Sequence, residues 1–249
     1  MSVERPMVIL QRSADLVALL AARGAMGPTE IAERVDTPRS SVYRLGDALR
    51  DAALIEQNPD AHLKLSLRWL RLADAARAGM SEWQGSRKIL DELARATRQT
   101  VFLTVPRANE AICIDWSRGD AIHVLLLKPG RALPLYAGAA GRITLAYGQD
   151  DPEAYLANAP FEAYTARTLT TAAQLRQDIT SSRTQGYVVS DGDVTDGIGA
   201  LGAPLFWTTA GGFAGALSVG GLAEDLNRRR PELVELLLAA ASTLSATLP

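Results

Sequence analysis

The sequence predicts an α+β protein with a winged helix-turn-helix domain first and an antiparallel sheet flanked by helices after it. Three observations predict this fold. Residues 28–50 are typical of two short helices joined by a tight turn, residues 54–65 are typical of a hairpin, and residues 99–219 alternate β-rich and helical runs. Helices around an antiparallel sheet define the α+β class. We expect domains at 1–66 and 81–249, joined by a linker helix at 67–80.

Length and composition narrow the class of protein. The chain has 249 residues, of which 47% are hydrophobic, as in a soluble protein with one large or two modest domains. No apolar run reaches the ~18 residues of a membrane span, and the N-terminus shows no secretion signal. The single cysteine, Cys113, excludes an internal disulfide framework. We therefore expect a cytoplasmic protein that has no membrane partner.

The charge of the chain argues against a protein that coats nucleic acid by electrostatic attraction alone. The net charge is −2 and the isoelectric point is about 5.8. Residues 1–80 carry a net charge of +1 and the remainder −3. A DNA-binding domain of this composition must depend on arginines placed at the contact surface, and dimerisation would double their contribution.

Three helices are predicted in the first domain. Leucines at i, i+3 and i+4 indicate a helix over 13–23, which Gly24 ends. A second helix begins at Pro28 or Thr29. The third begins after Asp36, with Thr37 as its cap and Pro38 at its first helical position.

The third helix has a polar face that is typical of a DNA recognition helix. At 100° per residue we expect one face to be buried and the opposite face to point outward, with Arg39 at the leading edge. The buried set is Val42, Leu45, Leu49 and Ala52, and the outward set is Ser40, Tyr43, Arg44 and Asp47. Such a helix N-terminus enters the DNA major groove in helix-turn-helix proteins.

A hairpin directly after a recognition helix is interpreted as a wing. Its strands are predicted at 54–56 and 62–65, with a turn at 58–61. A helix over 67–78 follows, with Leu67, Leu70 and Ala73 spaced for packing. The alternative is a packing module with a solvated arginine face. The wing and the Pro-Arg-Ser-Ser start of the third helix favour DNA binding.

Residues 13–77 resemble the winged helix of IclR-type bacterial transcriptional regulators. The resemblance is carried by Thr29-Glu30-Ile31-Ala32 and by Pro38-Arg39-Ser40-Ser41-Val42-Tyr43-Arg44-Leu45. A DNA-binding winged helix of this kind implies contacts to base edges or phosphates from Arg39, Ser40, Ser41, Tyr43 and Arg44, and phosphate contacts from Thr29 and Lys64.

The second domain is predicted to alternate helices and strands. Helices are expected at 81–98, 137–147, 172–185 and 231–247, and strands at 99–105, 111–116, 122–127, 187–190, 198–207 and 212–219.

This domain resembles the effector-binding domain of the same family, which implies a GAF-like fold. The resemblance rests on residues 133–141, on 192–198, and on the paired strands around 203–205 and 215–221. Two departures are Arg142, where the family usually has lysine, and Asp193, where it usually has glutamate.

The resemblance implies a ligand pocket where the small-residue loop, the loop of Asp191 and the paired strands converge. Loop amides at 139–141, at a helix N-terminus, suit a carboxylate, and Ser218 supplies a hydroxyl beside apolar walls. An apolar Ala200 indicates a ligand less polar than a small keto acid. Alternatively, the small residues serve only close packing. The implied contacts are Ile122, Leu125, Ala139, Ala140, Ser190, Asp191, Ala200 and Ser218.

No catalytic or metal-binding pattern is recognisable, so we expect no cofactor, no metal and no enzymatic activity. His62, His123 and Cys113 lack metal-ligand spacing, and Cys113 is interpreted as a buried, unreactive thiol. The acidic residues at 191, 193 and 196 lack the EF-hand pattern and are interpreted as loop and turn residues.

The sequence therefore predicts a transcriptional regulator whose binding to a palindromic operator in double-stranded DNA depends on a small organic acid or aromatic effector. Ligand binding would favour one placement of two DNA-binding domains. The resemblance implies a homodimer, often paired into a tetramer. Two alternatives stay open: a constitutive repressor whose C-terminal domain only oligomerises, and, more remotely, an enzyme with a DNA-binding appendage.

Overall fold

The structure is a computed structural model that describes residues 4–120, 126–209 and 211–249, with side chains from residue 8 onward. Contacts within the chain divide it into two compact units, Met1–Gly79 and Met80–Pro249. Among the described residues, no helix is both long and apolar enough to cross a lipid bilayer.

From residue 4 onward, the N-terminal unit contains four helices and one hairpin. The predicted three helices and hairpin are present in the predicted order, although the first helix begins earlier than residue 13. The elements are α1 Glu4–Arg23, α2 Pro28–Arg34, α3 Arg39–Asp51, β1 Ile55–Gln57, β2 Leu63–Leu65 and α4 Arg68–Ala78.

One hydrophobic core holds the three helices and the hairpin together. Leu16 of α1, Ile31 of α2 and Val42 of α3 are fully buried against each other and against Ile55 and Leu63 of the hairpin. The amide and carbonyl of Met26, in the turn between α1 and α2, pair with those of Leu63 at 2.9 and 2.8 Å. This pairing ties the wing to the helices, so the wing has a fixed position within the unit.

Two details of the predicted recognition helix are wrong. Thr37 does not cap α3, because its buried hydroxyl donates to the Val35 carbonyl at 3.0 Å, and Pro38 takes the cap position instead of the first helical position. Ala52 is exposed because α3 ends at Asp51 and the chain turns at Ala53, where φ is +56°, so helical periodicity no longer applies.

The side chains of α4, the helix after the wing, were predicted to pack, but the described residues do not cover them. Leu67 and Leu70 are 73% and 65% exposed, and α4 has no buried side chain. Their spacing places them on one helix face, but no other part of the described chain covers that face.

The described residues of the C-terminal unit form a six-stranded antiparallel sheet. The strands are β3 Thr100–Arg107, β4 Glu110–Ser117, β5 Ala132–Pro134, β6 Val188–Asp191, β7 Ile198–Phe206 and β8 Phe213–Leu222, in the spatial order β5-β4-β3-β8-β7-β6. The helices are α5 Ser86–Thr97, α6 Gly138–Tyr147, α7 Pro152–Leu156, α8 Ala172–Gln185, α9 Ala223–Arg228 and α10 Arg230–Ser245. The predicted α+β class is confirmed.

The two faces of the sheet pack against different helices. On one face, Val101, Leu103 and Leu217 lie in a core with Leu90 of α5 and Leu237 of α10. The other face carries smaller residues and receives α6: Ala216 and Val188 pack against Ala139 and Ile143. The small side chains of this second face let a helix N-terminus approach the strands closely.

Three expectations for this unit need correction. The helix predicted at 81–98 is a 3₁₀ turn at Ser81–Trp83 followed by α5, which begins after Gly85. Of the strand expected at 122–127, residues 122–125 lie outside the described residues, and the remaining two are not in a strand. Helices α7 and α9 were not predicted, because five and six residues are too short to show a helical period.

Candidate DNA-binding surface and ligand cavity

The N-terminus of α3 presents a row of exposed polar side chains. Arg39, Ser40 and Arg44 are exposed, and Tyr43 is 56% exposed, whereas Ser41 is half-buried. Val42 and Leu49 on the opposite face anchor the helix in the core. The predicted division of α3 into a buried and an exposed face is therefore confirmed, except at Ala52.

The positive charges at this surface are not paired with acidic residues of the described chain, so an external partner can bind them. The first turn of α3 contains no acidic residue and no side chain caps it. Neither Arg39 nor Arg44 forms an ion pair with any residue in the described parts of the chain. Unpaired guanidinium groups beside a helix N-terminus, where the helix dipole is positive, suit phosphate oxygens or the acceptor edge of guanine.

The wing and α2 each contribute a flanking residue. Thr29 is exposed in the first turn of α2. Lys64 on β2 lies opposite Glu56 on β1, and its Nζ is 3.4 Å from the Glu56 carboxylate. Because both side chains are exposed, this ion pair is weak and Lys64 can exchange Glu56 for a phosphate.

A cavity lies in the C-terminal unit between the sheet and the N-terminus of α6. It holds about 520 Å³ of empty space, including the part that opens to solvent. Apolar side chains and backbone form most of its wall. The lining residues are Phe102, Leu126, Leu127, Leu133, Gly138, Ala139, Ala140, Ser190, Val194, Thr195, Ile198, Gly199, Ala200, Ser218 and Gly220.

Strand register explains why these residues share one wall. Ser190 on β6 pairs with Ala200 on β7, which pairs with Gly220 on β8, and Ser218 pairs with Phe102 on β3. Directly paired residues point to the same side of a sheet. The cavity therefore exists where this face carries a glycine, an alanine and two serines instead of large side chains.

A buried polar network supports the wall at Ser190. The Ser190 hydroxyl donates to Oδ1 of Asp193. Oδ2 of Asp193 accepts the Gly138 amide at 3.0 Å and Nη1 of Arg142 at 3.1 Å. Arg142 also donates to both oxygens of Asp178, at 3.0 and 2.8 Å, and to the Val189 carbonyl at 2.7 Å. The network joins α6, α8 and β6 to the loop after β6.

The network contains one guanidinium, that of Arg142, and two carboxylates, those of Asp178 and Asp193. Burial raises the pKa of Asp178, the Arg142 guanidinium opposes that rise, and the nearby Asp193 carboxylate adds to it. The amide of Gly138, at the N-terminus of α6, is occupied by a carboxylate of the chain itself. The expectation that the amides at 139–141 hold a ligand carboxylate concerns the residues after Gly138 and stays a prediction.

The predicted effector contacts fall into three groups. Ala139, Ala140, Ser190, Ala200 and Ser218 all line the cavity. Asp191 is not among the lining residues, and its carboxylate lies 3.2 Å from Nη1 of Arg167. Ile122 and Leu125 lie outside the described residues.

Sequence reasoning missed the polar support of the cavity. Asp193 was interpreted as a loop residue, although it is buried and accepts three hydrogen bonds. The available signal was a potential ion pair between Arg142 and Asp193, the two positions at which the chain departs from the family pattern.

Comparisons with known proteins identify the family. The family model described as "Bacterial transcriptional regulator IclR C-terminal" matches residues 83–246, and the "IclR helix-turn-helix domain" matches residues 9–59. The chain belongs to the IclR family of bacterial transcriptional regulators.

Individual IclR-family relatives match over nearly their full length. The chain is 26% identical over 235 residues to the HTH-type transcriptional regulator KipR of Bacillus subtilis, with 94% of each chain covered. The IclR transcriptional regulator from Alicyclobacillus acidocaldarius has the same fold, with a TM-score of 0.78, 24% identity, and 96% of this chain and 98% of that chain covered.

A further solved structure contains a ligand. The IclR homolog from Microbacterium hydrocarbonoxydans, crystallised with 4-hydroxybenzoate, matches with a TM-score of 0.78 and 21% identity over 96% of this chain and 98% of that chain. The predicted family, the helix-turn-helix and the role in transcriptional regulation are thus confirmed.

Proposed function

We propose that α3 reads an operator in double-stranded DNA and that a small molecule bound in the cavity changes the affinity for that operator. The observation that carries the first half is the exposed face of α3, where Arg39, Tyr43 and Arg44 surround an uncapped helix N-terminus. Thr29, Ser40, Ser41 and Lys64 complete the DNA surface. Of these residues, Arg44 stands one turn into the helix and reaches base edges or phosphates.

We infer that the protein acts as a homodimer, paired into a tetramer through its C-terminal domains. Exposed apolar side chains on α1 and α4 support this inference, since such side chains are normally covered in an assembled protein. They are Val8, Ile9, Leu10, Leu67, Leu70 and Leu72. A dimer would present two α3 helices to the two halves of a palindrome, as helix-turn-helix proteins require.

The cavity supports the second half of the proposal. Its walls are mostly apolar, with hydroxyls at Ser190 and Ser218, as in sites that hold small molecules. The complex of the Microbacterium protein with 4-hydroxybenzoate makes an aromatic ligand a reasonable expectation for this chain. Besides the lining residues already described, Ile122, Leu125 and Asp191 remain proposed contacts.

Operator binding tests the proposal directly. An operator is first selected from random DNA with the purified full-length protein, and affinities are then measured at one salt concentration. Arg44→Ala should weaken binding by ~1–3 kcal/mol. Arg50→Ala is the matched control, because Arg50 lies at the other end of α3 and already contacts Asp47 at 2.5 Å and Gln57 at 3.0 Å. Equal affinities for wild type and Arg44→Ala would overturn the assignment of α3.

A further inference from the structure

We propose that α4 is a rigid extension of the recognition helix α3, and that the chain bends at Gly79 when the DNA-binding unit changes its placement. This inference rests on the proposed function, in which α3 reads the operator under the control of a ligand. It assigns positioning roles to three residues around the start of α4, which we call the α4 clamp: Ser66, Arg68 and Trp69.

The α4 clamp binds three consecutive backbone carbonyls just after α3. The carbonyls of residues 52, 53 and 54 accept hydrogen bonds from Nη1 of Arg68, the Ser66 hydroxyl and Nε1 of Trp69, in that order, each at 2.6 Å. Carbonyls at and beyond the end of a helix have no partner within the helix. The clamp therefore supplies partners that α3 itself lacks, and it joins the end of α3 to the first turn of α4.

The turn between α3 and the wing is held from both sides. Ala53 has a φ of +56°, a conformation that residues with a side chain adopt rarely. Its amide donates to the Arg50 carbonyl of α3 at 2.8 Å, and its carbonyl accepts from the buried Ser66 hydroxyl. Because Ala53 is bonded to α3 through one group and to the clamp through the other, the angle between α3 and α4 is fixed.

At its other end, α4 leads into the C-terminal unit through a single residue. The helix ends at Ala78, whereas Met80 already packs against the core of the C-terminal unit, in which Trp83 is buried. Gly79 is exposed and lies between them. Glycine has the widest range of backbone conformations, and hinges are usually a few residues at the end of an element. A change in the placement of the DNA-binding unit therefore falls on Gly79 and not on the clamped junction of α3 and α4.

Distances between spin labels test both parts of the inference in the full-length protein. Labels at Asp51→Cys and Asp74→Cys span α3 and α4, and labels at Asp74→Cys and Glu92→Cys span Gly79. All three labelled positions are exposed, and the native Cys113 is buried. Labelled chains are assembled with an excess of unlabelled chains, so that each distance lies within one chain.

Pulsed electron–electron double resonance gives the distance distributions. The pair on α3 and α4 should show one narrow distance that the selected operator does not change, and the pair across residue 79 should show a broader or operator-dependent distance. A broad α3–α4 distance would overturn the rigid connection. A distance across residue 79 that is as narrow and unchanged as the α3–α4 distance would overturn the bend.

Substitutions in the clamp test its positioning role. Trp69→Phe keeps an aromatic ring but removes the N–H donor, and Arg68→Met removes a second donor, whereas Arg68→Lys retains one. Trp69→Phe with Arg68→Met should broaden the α3–α4 distance and weaken operator binding about tenfold, and Trp69→Phe with Arg68→Lys should recover most of the affinity. Arg71→Met removes the same charge at an exposed position of α4 and should change neither. Trp69→Phe alone should show the same effects at smaller size, even where the double variant fails to fold. An unchanged distance or an unchanged affinity in both variants would overturn the positioning role.

A methyl group at position 79 tests the bend. A Cβ on Gly79 would meet its nearest atoms, two carbonyl oxygens of α4, at ordinary contact distances of 3.5 and 3.6 Å, so Gly79→Ala should fold normally. It should narrow the distance distribution across residue 79, because alanine favours continuation of the helix. Gly85→Ala is the matched control, since a Cβ there meets nothing within 4 Å, and it should leave that distribution unchanged. Equal distributions for Gly79→Ala and wild type would contradict a bend at this residue.

The outcomes also separate this inference from the proposed function. Operator binding that Arg44→Ala weakens, together with a broad α3–α4 distance in wild type, leaves α3 standing as the recognition helix and overturns the rigid connection. A narrow α3–α4 distance in a protein that selects no operator supports the clamp and counts against the proposed function.

Discussion

At the residue scale, Cys113 illustrates how burial controls reactivity. Cys113 lies on β4 and is completely buried, and its Sγ donates to the Asp115 carbonyl at 3.3 Å. Burial, assisted by the Asp115 carboxylate, raises the pKa of the Cys113 thiol from 9.0 to about 12. Since the thiolate is the reactive form, the folded protein holds this cysteine as an unreactive thiol, as the sequence predicted.

The corresponding prediction concerns thiol labelling. Native protein at pH 7 should react with a chromogenic disulfide reagent roughly a thousandfold more slowly than the unfolded chain, because of the raised pKa and the lack of access. The absorbance of the released thiol measures the rate, and the same protein in denaturant is the control. Rapid native labelling would show that β4 does not bury Cys113.

At the same scale, the hydrogen-bond network beneath the cavity shows what a sequence leaves undetermined. Asp178 and Asp193 follow Arg142 by 36 and 51 positions in the chain, yet all three side chains meet in one cluster. Helical and strand periodicity predicts which residues are buried locally. It contains no information on which buried charges meet, since that depends on how α6, α8 and β6 pack together.

At the element scale, the approach of α6 to β5 depends on a glycine. A Cβ at Gly141 would lie 2.2 Å from the Pro134 carbonyl oxygen, and α6 is buried from Gly138 to Ala146. Neither the helix nor the backbone of β5 can move away without disturbing the core. This contact explains the glycine at position 141, which ends the small-residue loop, whereas Ala139 and Ala140 of that loop line the cavity.

We expect Gly141→Ala to destabilise the C-terminal unit by ~1–3 kcal/mol, the usual cost of overpacking a buried site. Urea unfolding followed by circular dichroism measures the change. Gly85→Ala is the matched control, because a Cβ there meets nothing within 4 Å and the backbone is helical. Equal stability of the two variants would contradict the close packing of α6 on β5.

The wing offers a second prediction at this scale. Removing the carboxylate of Glu56 frees Lys64 for a phosphate, so Glu56→Gln should tighten operator binding by up to about fivefold, since exposed ion pairs are worth ~0.2–1 kcal/mol. Fluorescence anisotropy with labelled operator measures the affinity. Glu235→Gln, an exposed position on α10, makes the same change in net charge and should have no effect. Weaker binding by Glu56→Gln would place the wing away from the DNA.

The same elements show which structural features local sequence patterns can predict and which they cannot. The exposed face of α3 followed from helical periodicity, because both the buried and the exposed residues lie within one regular helix. Periodicity failed at Thr37 and Ala52, where the helix begins and ends and where turn geometry decides the side-chain direction. Five cavity residues followed from the family resemblance, whereas the support from Asp193 did not.

At the scale of the whole molecule, the overall charge and the local charge have opposite signs. The chain has a net charge of −2, so we expect nonspecific attraction to DNA to be weak, and the proposed DNA surface has only a few arginines and one lysine. Such a protein should bind its operator with a modest salt dependence, because few phosphates are neutralised. In the proposed dimer, specificity would come from placing two recognition helices at the spacing of the operator.

The measurement that tests the central claim most directly is the affinity of the full-length protein for its selected operator, with and without a ligand shown to occupy the cavity, at one salt concentration. The proposed coupling predicts a change of about fivefold or more in operator affinity, and an equal change in ligand affinity when operator is present. An operator affinity that stays the same with every ligand that binds the cavity would contradict a ligand-controlled regulator.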